Sequence, residues 1–232
     1  MKTLNQNKRI NLKTVITTCV LGITLFSSCK KEELDSSKPM GTSQNNSSTS
    51  AKKADASFGF ITVGNEWKYA VTTSGGNTDT SISFMVEMKT KITHDLGDGF
   101  YNEDVSASIT DEGRSIKIYT AKGHRDANGW SEVDNKGNLS YFLSANPAIG
   151  ELTFKIVNND TMFFKVVALD ENITVPAGNF SCVKVHNYNS QNTVIGDCFY
   201  SLTKGLIKSN QNADNGEFNV NIKMELTGIN FN

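Results

Sequence analysis

The sequence predicts a mainly β protein with little helix, built on one antiparallel, strongly curved sheet or on a β-sandwich. Three observations lead to this fold class. Apolar and polar residues alternate over long runs such as 81–89 and 218–227, which indicates strands with one buried and one solvated face. Turn sequences rich in glycine and asparagine separate these runs, and no amphipathic segment requires a long helix. Strands of this length favour a sheet that folds over its own apolar face, as an open half-barrel or a sandwich does.

Twelve strands follow from the alternation and the turns. The first two are predicted at 66–73 and 81–93, on either side of a Ser-Gly-Gly-Asn turn at 74–77. The other ten are predicted at 100–110, 114–122, 129–133, 139–144, 151–158, 161–170, 179–188, 193–201, 205–209 and 217–227. Several connections, among them Gly-Asp-Gly at 97–99 and Asp-Asn-Lys-Gly-Asn at 134–138, have the length and chemistry of hairpin turns.

The first 28 residues have the layout of a secretory signal. They hold four basic residues and no acid, followed by an apolar core at 15–26. Twelve residues are too few for a bilayer span, which needs about 20. The chain has 23 basic and 24 acidic residues, so removal of residues 1–28 leaves 19 basic against 24 acidic, a net charge of −5. This balance argues against a nucleic-acid partner, which requires a clustered basic face.

A cysteine, Cys29, follows the apolar core directly. The stretch Leu-Phe-Ser-Ser-Cys at 25–29 resembles the bacterial lipobox. The resemblance implies that the Cys29 thiol carries diacylglycerol and that the chain is cut just before it. The alternative is a signal cleaved elsewhere, with Cys29 incidental. Each buried methylene contributes about 0.8 kcal/mol, so two or three acyl chains would hold the protein at a membrane.

Charged residues at 30–33 follow Cys29. Lys31, Glu32 and Glu33 resemble, together with the cysteine, the surface-export signal of lipoproteins from gram-negative gliding and gut bacteria. The resemblance implies a lipid-anchored protein of the outer membrane on the cell surface. The periplasmic face of that membrane is the alternative.

The chain divides into three parts: a cleaved signal at 1–28, the lipidated cysteine and a flexible tether at 29–57, and one antiparallel β domain at 58–232. The tether is rich in Ser, Thr, Asn and Lys and has no aromatic residue, so it cannot bury enough apolar surface to offset its ordering entropy. With roughly 5–6 Å per square root of residue number, its mean reach is on the order of 30 Å.

Two further cysteines, Cys182 and Cys198, lie on the strands that flank residues 186–194. A loop made of residues 189–191 would set the two cysteines opposite each other, and export exposes them to oxidising conditions. We therefore predict a cross-strand disulfide, which would stabilise the fold by about 3 kcal/mol in the chain-entropy model. Two reduced thiols in an apolar core are the alternative.

The second half of the domain carries a recognisable pattern. Val175, Pro176, Ala177 and Gly178 form a turn sequence before a strand, and Gly-Leu-Ile-Lys follows at 205–208. With Trp67 and Tyr69, these segments resemble a widespread group of bacterial envelope lipoproteins. The resemblance implies an antiparallel sheet curled like the periplasmic lipoprotein carriers, and it implies no catalytic residue. Pro176 and Gly178 themselves indicate a tight turn.

Residues that could carry chemistry are scattered. His94, His124 and His186 lie on different predicted turns or strands, whereas a catalytic site needs converging groups. Two acidic clusters offer oxygen ligands of the kind that calcium takes, but neither has the spacing of an EF-hand loop, and we interpret them as solvated turns: Asp95, Asp98, Glu103 and Asp104, and Asp126, Asn128 and Glu132. Several aromatic residues occur near strand ends, where they could stack on a sugar or line a groove: Trp67, Tyr69, Phe100, Tyr101, Trp130, Tyr141 and Phe142.

We therefore expect a lipid-anchored envelope lipoprotein that is not an enzyme and needs no metal or cofactor. Its domain would bind an apolar or glycan ligand on the concave face of the curled sheet. The alternative is an interaction protein without a small-molecule pocket, which recognises another envelope component through an edge strand or a flat face.

Overall fold

The computed structural model describes residues 58–76, 81–109, 114–157, 160–214 and 219–232. Over these residues the chain forms twelve strands: β1 (Glu66–Gly76), β2 (Ser81–Gly97), β3 (Phe100–Ile109), β4 (Arg114–Arg125), β5 (Gly129–Val133), β6 (Leu139–Ser144), β7 (Leu152–Val157), β8 (Asp160–Val175), β9 (Gly178–Tyr188), β10 (Val194–Ser201), β11 (Gly205–Asp214) and β12 (Asn219–Asn230). Within these ranges, no helix is present that could cross a membrane.

All twelve strands belong to one antiparallel sheet, in the order β6-β5-β4-β3-β2-β1-β12-β11-β10-β9-β8-β7. Every neighbouring pair except β1 and β12 is consecutive in the chain, as expected when short turns join the strands. The two edge strands, β6 and β7, come into contact and nearly close the sheet. The predicted single, strongly curved antiparallel sheet is confirmed, and the described strands do not divide into the two sheets of a sandwich.

One end of the half-barrel is filled by the segment just before β1, and we call it the closed end. Phe60 packs edge-on against Trp67 and Trp130, with ring centroids 6.0 and 5.7 Å away. The indole Nε1 of Trp67 donates to the carbonyl oxygen of Lys204 at 2.6 Å, and Asn65 Nδ2 donates to the carbonyl of Phe60 at 2.7 Å. Buried aromatic rings with satisfied polar atoms fix this end.

The Val175–Gly178 segment joins β8 to β9. Val175 pairs with Gly178, so Pro176 and Ala177 form a two-residue turn. Gly178 has φ 130°, a conformation that residues with a Cβ rarely adopt. The Ala177 amide donates to the carbonyl oxygen of Leu226 at 3.1 Å, which ties the turn to β12.

The predicted disulfide is wrong: Cys182 and Cys198 are both buried, free thiols. Cys198 lies opposite Val185 on β9, whereas Cys182 lies opposite Glu171 on β8. The cause is the β9–β10 turn, which spans residues 189–193 rather than 189–191. The Asn189 side chain widens it by accepting hydrogen bonds from the amides of residues 191 and 193, and a bulge after Val194 shifts the register again.

Candidate ligand-binding site at the seam of the sheet

The sheet is incomplete along its seam, which we define as the line where the β5–β6 hairpin meets β7. The hairpin is short, and β5 pairs with β4 only at Gly123, His124 and Arg125. In the part of the chain that the structure describes, the rest of that edge of β4 has no strand beside it. The free edge of β7 faces it across the gap.

This gap is a cavity of about 840 Å³, which we call the slot. Its walls are residues 118–122 of β4, the β5–β6 hairpin and residues 154–156 of β7. Binding pockets for small molecules usually enclose about 300–1,000 Å³, so the slot has the volume of a ligand site. It lies at the margin of the concave face rather than at its centre.

Apolar side chains form one side of the slot. Ile118, Leu139, Phe154 and Ile156 all line it. Leu139, Phe154 and Ile156 are also exposed to solvent. Large apolar side chains gathered around an open cavity form a surface whose removal from water is energetically favourable.

An ion pair crosses the seam beside the slot. Lys155 on β7 binds the carboxylate of Glu132 on β5, and the two side chains are only 9% and 14% exposed. Burial raises the pKa of Glu132 above its usual range, although Lys155 lowers it in part. Lys155 Nζ also lies 6.0 Å from the centre of the Phe142 ring. This pair places charge at the inner side of an otherwise apolar wall.

The hairpin turn at the rim is held by Asp134. Its carboxylate accepts hydrogen bonds from the Lys136 amide, the Asn138 amide and the Asn138 side chain, each at 2.8 Å. Burial alone would raise the pKa of Asp134, but these bonds outweigh it and the pKa is lowered. These bonds hold the turn that ends β5 at Val133, and they thereby fix where the hairpin wall of the slot ends.

The concave face itself is filled at the closed end. The remaining space there, beside Glu103, Tyr69 and Tyr101, is about 30 Å³. Burial raises the pKa of Glu103 to about 7; a hydrogen bond with Thr90 opposes this shift and the charge of Glu132 adds to it. A space of this size holds no more than about one water molecule. Among the described residues, the ligand-sized space is therefore the slot at the margin of the concave face and not this closed end.

The three histidines do not come together. His94 is exposed and contacts Thr93 at 3.1 Å, and His124 is buried against Phe100 with ring centroids 4.4 Å apart. His186 bonds to Asp197 on the outer face. Over the described ranges, no three His, Cys, Asp or Glu side chains lie close enough to hold a metal ion.

The acidic residues considered for calcium instead hold turns and strands. Asp95 accepts from the Gly97 amide at 2.9 Å, and Asp126 accepts from the amides of Asn128 and Gly129. Asp104 binds Lys117 at 2.8 Å and Thr120 at 2.7 Å. Glu103 and Glu132, from different clusters, both point into the interior.

Of the aromatic residues predicted near strand ends, Trp67, Tyr69 and Tyr101 are buried in the core, whereas Phe142 lies at the seam. Phe154, on the slot wall, was missed by sequence reasoning. Its strand sequence, Leu-Thr-Phe-Lys-Ile-Val at 152–157, gives no local signal that the strand lies at an edge of the sheet. Cys29, Lys31, Glu32 and Glu33 lie outside the described residues.

Comparisons with known proteins give structural likenesses at low identity. No protein-family model matches the chain, and no curated protein matches it. A solved protein from Bacteroides fragilis, described as exported and with a YmcC-like fold, is 13% identical with a TM-score of 0.48, over 73% of this chain and 97% of that one. A domain from Vibrio parahaemolyticus described as outer membrane lipoprotein-sorting is 12% identical (TM-score 0.22, 78% and 89% covered). A LolA superfamily protein from Nitrosomonas europaea is 8% identical (TM-score 0.23, 72% and 86% covered). At these values the likenesses carry no argument about what this chain binds.

Proposed function

We propose that this protein is a lipid-anchored lipoprotein of the outer membrane that acts as a binding module and not as an enzyme, and that its slot holds an amphipathic ligand with an apolar chain. The slot is the observation that supports this proposal. It combines sufficient volume with exposed apolar side chains that no described part of the chain covers.

The two faces of the proposed ligand follow from the two kinds of wall. Ile118, Leu139 and Phe154 would cover an apolar chain and remove it from water. The free edges of β4 and β7 present backbone N–H and C=O groups, which would bond a polar headgroup, an amide or a sugar hydroxyl. An acyl chain with a small polar head satisfies both walls, whereas a fully polar glycan would leave the apolar wall uncovered.

The proposed location rests on the N-terminal sequence. The apolar core before Cys29 and the charged residues after it support lipidation, and Lys31, Glu32 and Glu33 support export to the cell surface. The periplasmic face is the alternative. Protease treatment of intact cells distinguishes them, because a domain on the surface is digested without permeabilisation.

Titration with a fluorescent fatty acid, 11-(dansylamino)undecanoic acid, tests the slot. Leu139→Asp places a charge on the slot wall and should weaken binding about tenfold, since burying a side chain of this size contributes about 1.5–3 kcal/mol. Met85→Asp is the matched control, because Met85 is an exposed apolar residue on β2 away from the slot. Equal binding by the wild type and both variants, or no binding by any of them, would refute the proposal.

A second candidate function is recognition of an envelope protein by strand addition. It is favoured by the free edge of β4, because an unpaired edge is a template for another strand. Mild crosslinking in cells should then recover a partner, through a cysteine introduced at Lys122 on that edge. A partner that the fatty acid does not displace would favour this function, and a clean monomer after crosslinking would count against it.

A further inference from the structure

Exposed apolar side chains are concentrated on β7 and on the turn just before it, at the seam. Ile149, Leu152, Phe154 and Ile156 are 68%, 58%, 60% and 65% exposed. They are four of the ten large hydrophobic residues that are exposed in the described ranges, and they fall within eight positions. We call these four residues the ridge. Scattered exposed apolar residues are ordinary, but a contiguous group marks a contact surface.

β7, which carries three of the four ridge residues, has an inverted pattern. Leu152, Phe154 and Ile156 point outward, while Lys155 between them is buried and paired with Glu132. Edge strands usually carry charge on their exposed side, which prevents association with other chains. An inward-pointing lysine also protects an edge strand, but the exposed apolar side chains on the outer side of β7 suit an apolar environment rather than water.

Basic groups flank the ridge. Lys165 on β8 lies opposite Leu152 in the register and is exposed, and Lys122 is exposed on the far wall of the slot. Apolar side chains bordered by lysines complement a bilayer, whose surface carries anionic headgroups above an apolar layer.

The start of the domain lies beside the end of β4 that pairs with β5. Arg125 Nη1, at the closed end of β4, donates to the carbonyl oxygen of Phe58 at 3.0 Å, and Arg125 pairs with Trp130 of β5. The chain from residue 29 therefore joins the domain near the seam. About 28 residues separate Cys29 from the start of the domain, a length of chain sufficient for the seam to reach the membrane that holds Cys29. This step alone rests on the proposed lipid anchor.

We infer that the ridge is a membrane-docking surface that inserts its apolar side chains into an anionic bilayer. Docking lays the half-barrel on its side, with the seam toward the lipid. Because Phe154 and Ile156 belong to both the ridge and the slot, the slot then opens directly onto the bilayer. An amphipathic molecule moves between the bilayer and the slot without crossing water.

Vesicle sedimentation tests the docking. The chain from residue 29 with Cys29→Ser has no lipid of its own, and it is mixed with phosphatidylcholine vesicles with and without phosphatidylglycerol. Ile149→Ser combined with Leu152→Ser removes ridge residues that do not line the slot, and it should weaken binding about tenfold. The matched control, Met85→Ser with Leu96→Ser, removes two exposed apolar residues of β2 and should change binding less than about twofold.

Three results support the inference: binding by the wild type, its loss in the ridge variant alone, and weaker binding without phosphatidylglycerol or at high salt. Absence of wild-type binding to both kinds of vesicle overturns the inference. Equal loss of binding in the ridge variant and in the control variant also overturns it. Binding to outer-membrane fractions but not to protein-free vesicles also overturns it, in favour of a protein partner. Fatty-acid titration of the ridge variant keeps the two proposals separate, because docking is lost there while the slot is intact.

A second variant guards against a folding defect. Leu152→Trp keeps an apolar residue on the ridge, and its fluorescence should be quenched by brominated lipids in the bilayer. The variant Met85→Trp should not be quenched. Quenching of both to the same extent, or of neither, contradicts docking through the ridge.

Discussion

Replacement of Lys155 by methionine tests how the seam is held together. Lys155 on β7 and Glu132 on β5 form the ion pair across the seam, and both side chains are largely buried. A methionine side chain would fill the space of the lysine stem but leave the Glu132 carboxylate without its cation. An uncompensated buried charge is the costly state, whereas the intact pair is close to neutral in free energy.

The expected cost is about 3 kcal/mol in the free energy of unfolding at pH 8, the lower end of the range of about 3–5 kcal/mol for such changes. The lower end applies because burial already raises the pKa of Glu132, so the carboxylate can take up a proton when the lysine is gone. The cost should therefore shrink as the pH falls. The double variant Lys155→Met with Glu132→Gln should recover most of the loss, since it removes both charges.

Urea unfolding followed by tryptophan fluorescence measures these differences. The wild type, Lys155→Met, Glu132→Gln and the double variant form a double-mutant cycle. The control is Lys117→Met, which breaks the more exposed pair with Asp104 (2.8 Å) and should cost less than about 1 kcal/mol. A loss below about 1 kcal/mol for Lys155→Met, or a double variant whose loss equals the sum of the single losses, would refute the reasoning.

Three further predictions concern the interior. Glu103 has a folded pKa of about 7 against a usual 4.5, so between these pH values the folded state holds a proton that the unfolded state has lost. The contribution of Glu103 to the free energy of unfolding is therefore fully present below about pH 4.5 and is lost as the pH rises to 7. Glu103→Gln should remove this dependence and raise the free energy of unfolding at pH 8 by about 3 kcal/mol, as urea unfolding against pH would measure. Gly123→Ala should destabilise by about 1–3 kcal/mol in the same assay, because a Cβ there would lie 2.2 Å from the Tyr101 ring. Cys182 and Cys198 should both alkylate in urea without a reductant, and slowly in the folded protein, since burial raises both thiol pKa values.

The first two of these predictions have a control variant, and the third has a result that would contradict it. Asp104→Asn changes the more exposed neighbour of the buried glutamate and should not give the same rise at pH 8. Gly228→Ala adds a Cβ whose nearest contact is Lys68 at 4.0 Å, so it should unfold within about 0.5 kcal/mol of the wild type. A mass spectrum with no added alkyl groups after treatment in urea would show that Cys182 and Cys198 form a disulfide after all.

Much of the fold could be predicted because the period of two is local. All twelve strands lie where alternation and turn residues place them, but several run further than predicted. β11 is predicted to end at residue 209 and continues to Asp214, because its polar residues pair with β12 from Asn219 to Lys223. Tertiary pairing overrides composition there. The disulfide prediction failed because one side chain, Asn189, enlarged a turn by two residues.

The slot could not be predicted for a different reason. It depends on which strands become the edges of the sheet, and this follows from the long-range pairing of β1 with β12. That pairing puts β6 and β7, neighbours in the chain, at opposite ends of the strand order and brings them together only when the sheet curls. Phe154 and Ile156 have the alternation of a buried strand, and nothing local distinguishes an edge strand at a seam from an interior one.

The length of the β5–β6 hairpin decides whether the slot exists, and extending it is the sharpest test of this view. Two residues, Thr-Val, inserted after Val133 and two more before Leu139 would carry β5 along β4 to the level of Thr120. An even number on each strand keeps every following side chain on its present face. The longer hairpin should fill the slot, abolish fatty-acid binding and leave the free energy of unfolding equal or higher, because backbone groups of the β4 edge gain partners. The same four residues inserted into the exposed turn at 189–193 are the control and should leave binding unchanged. Undiminished binding by a folded, extended hairpin would show that the ligand lies elsewhere.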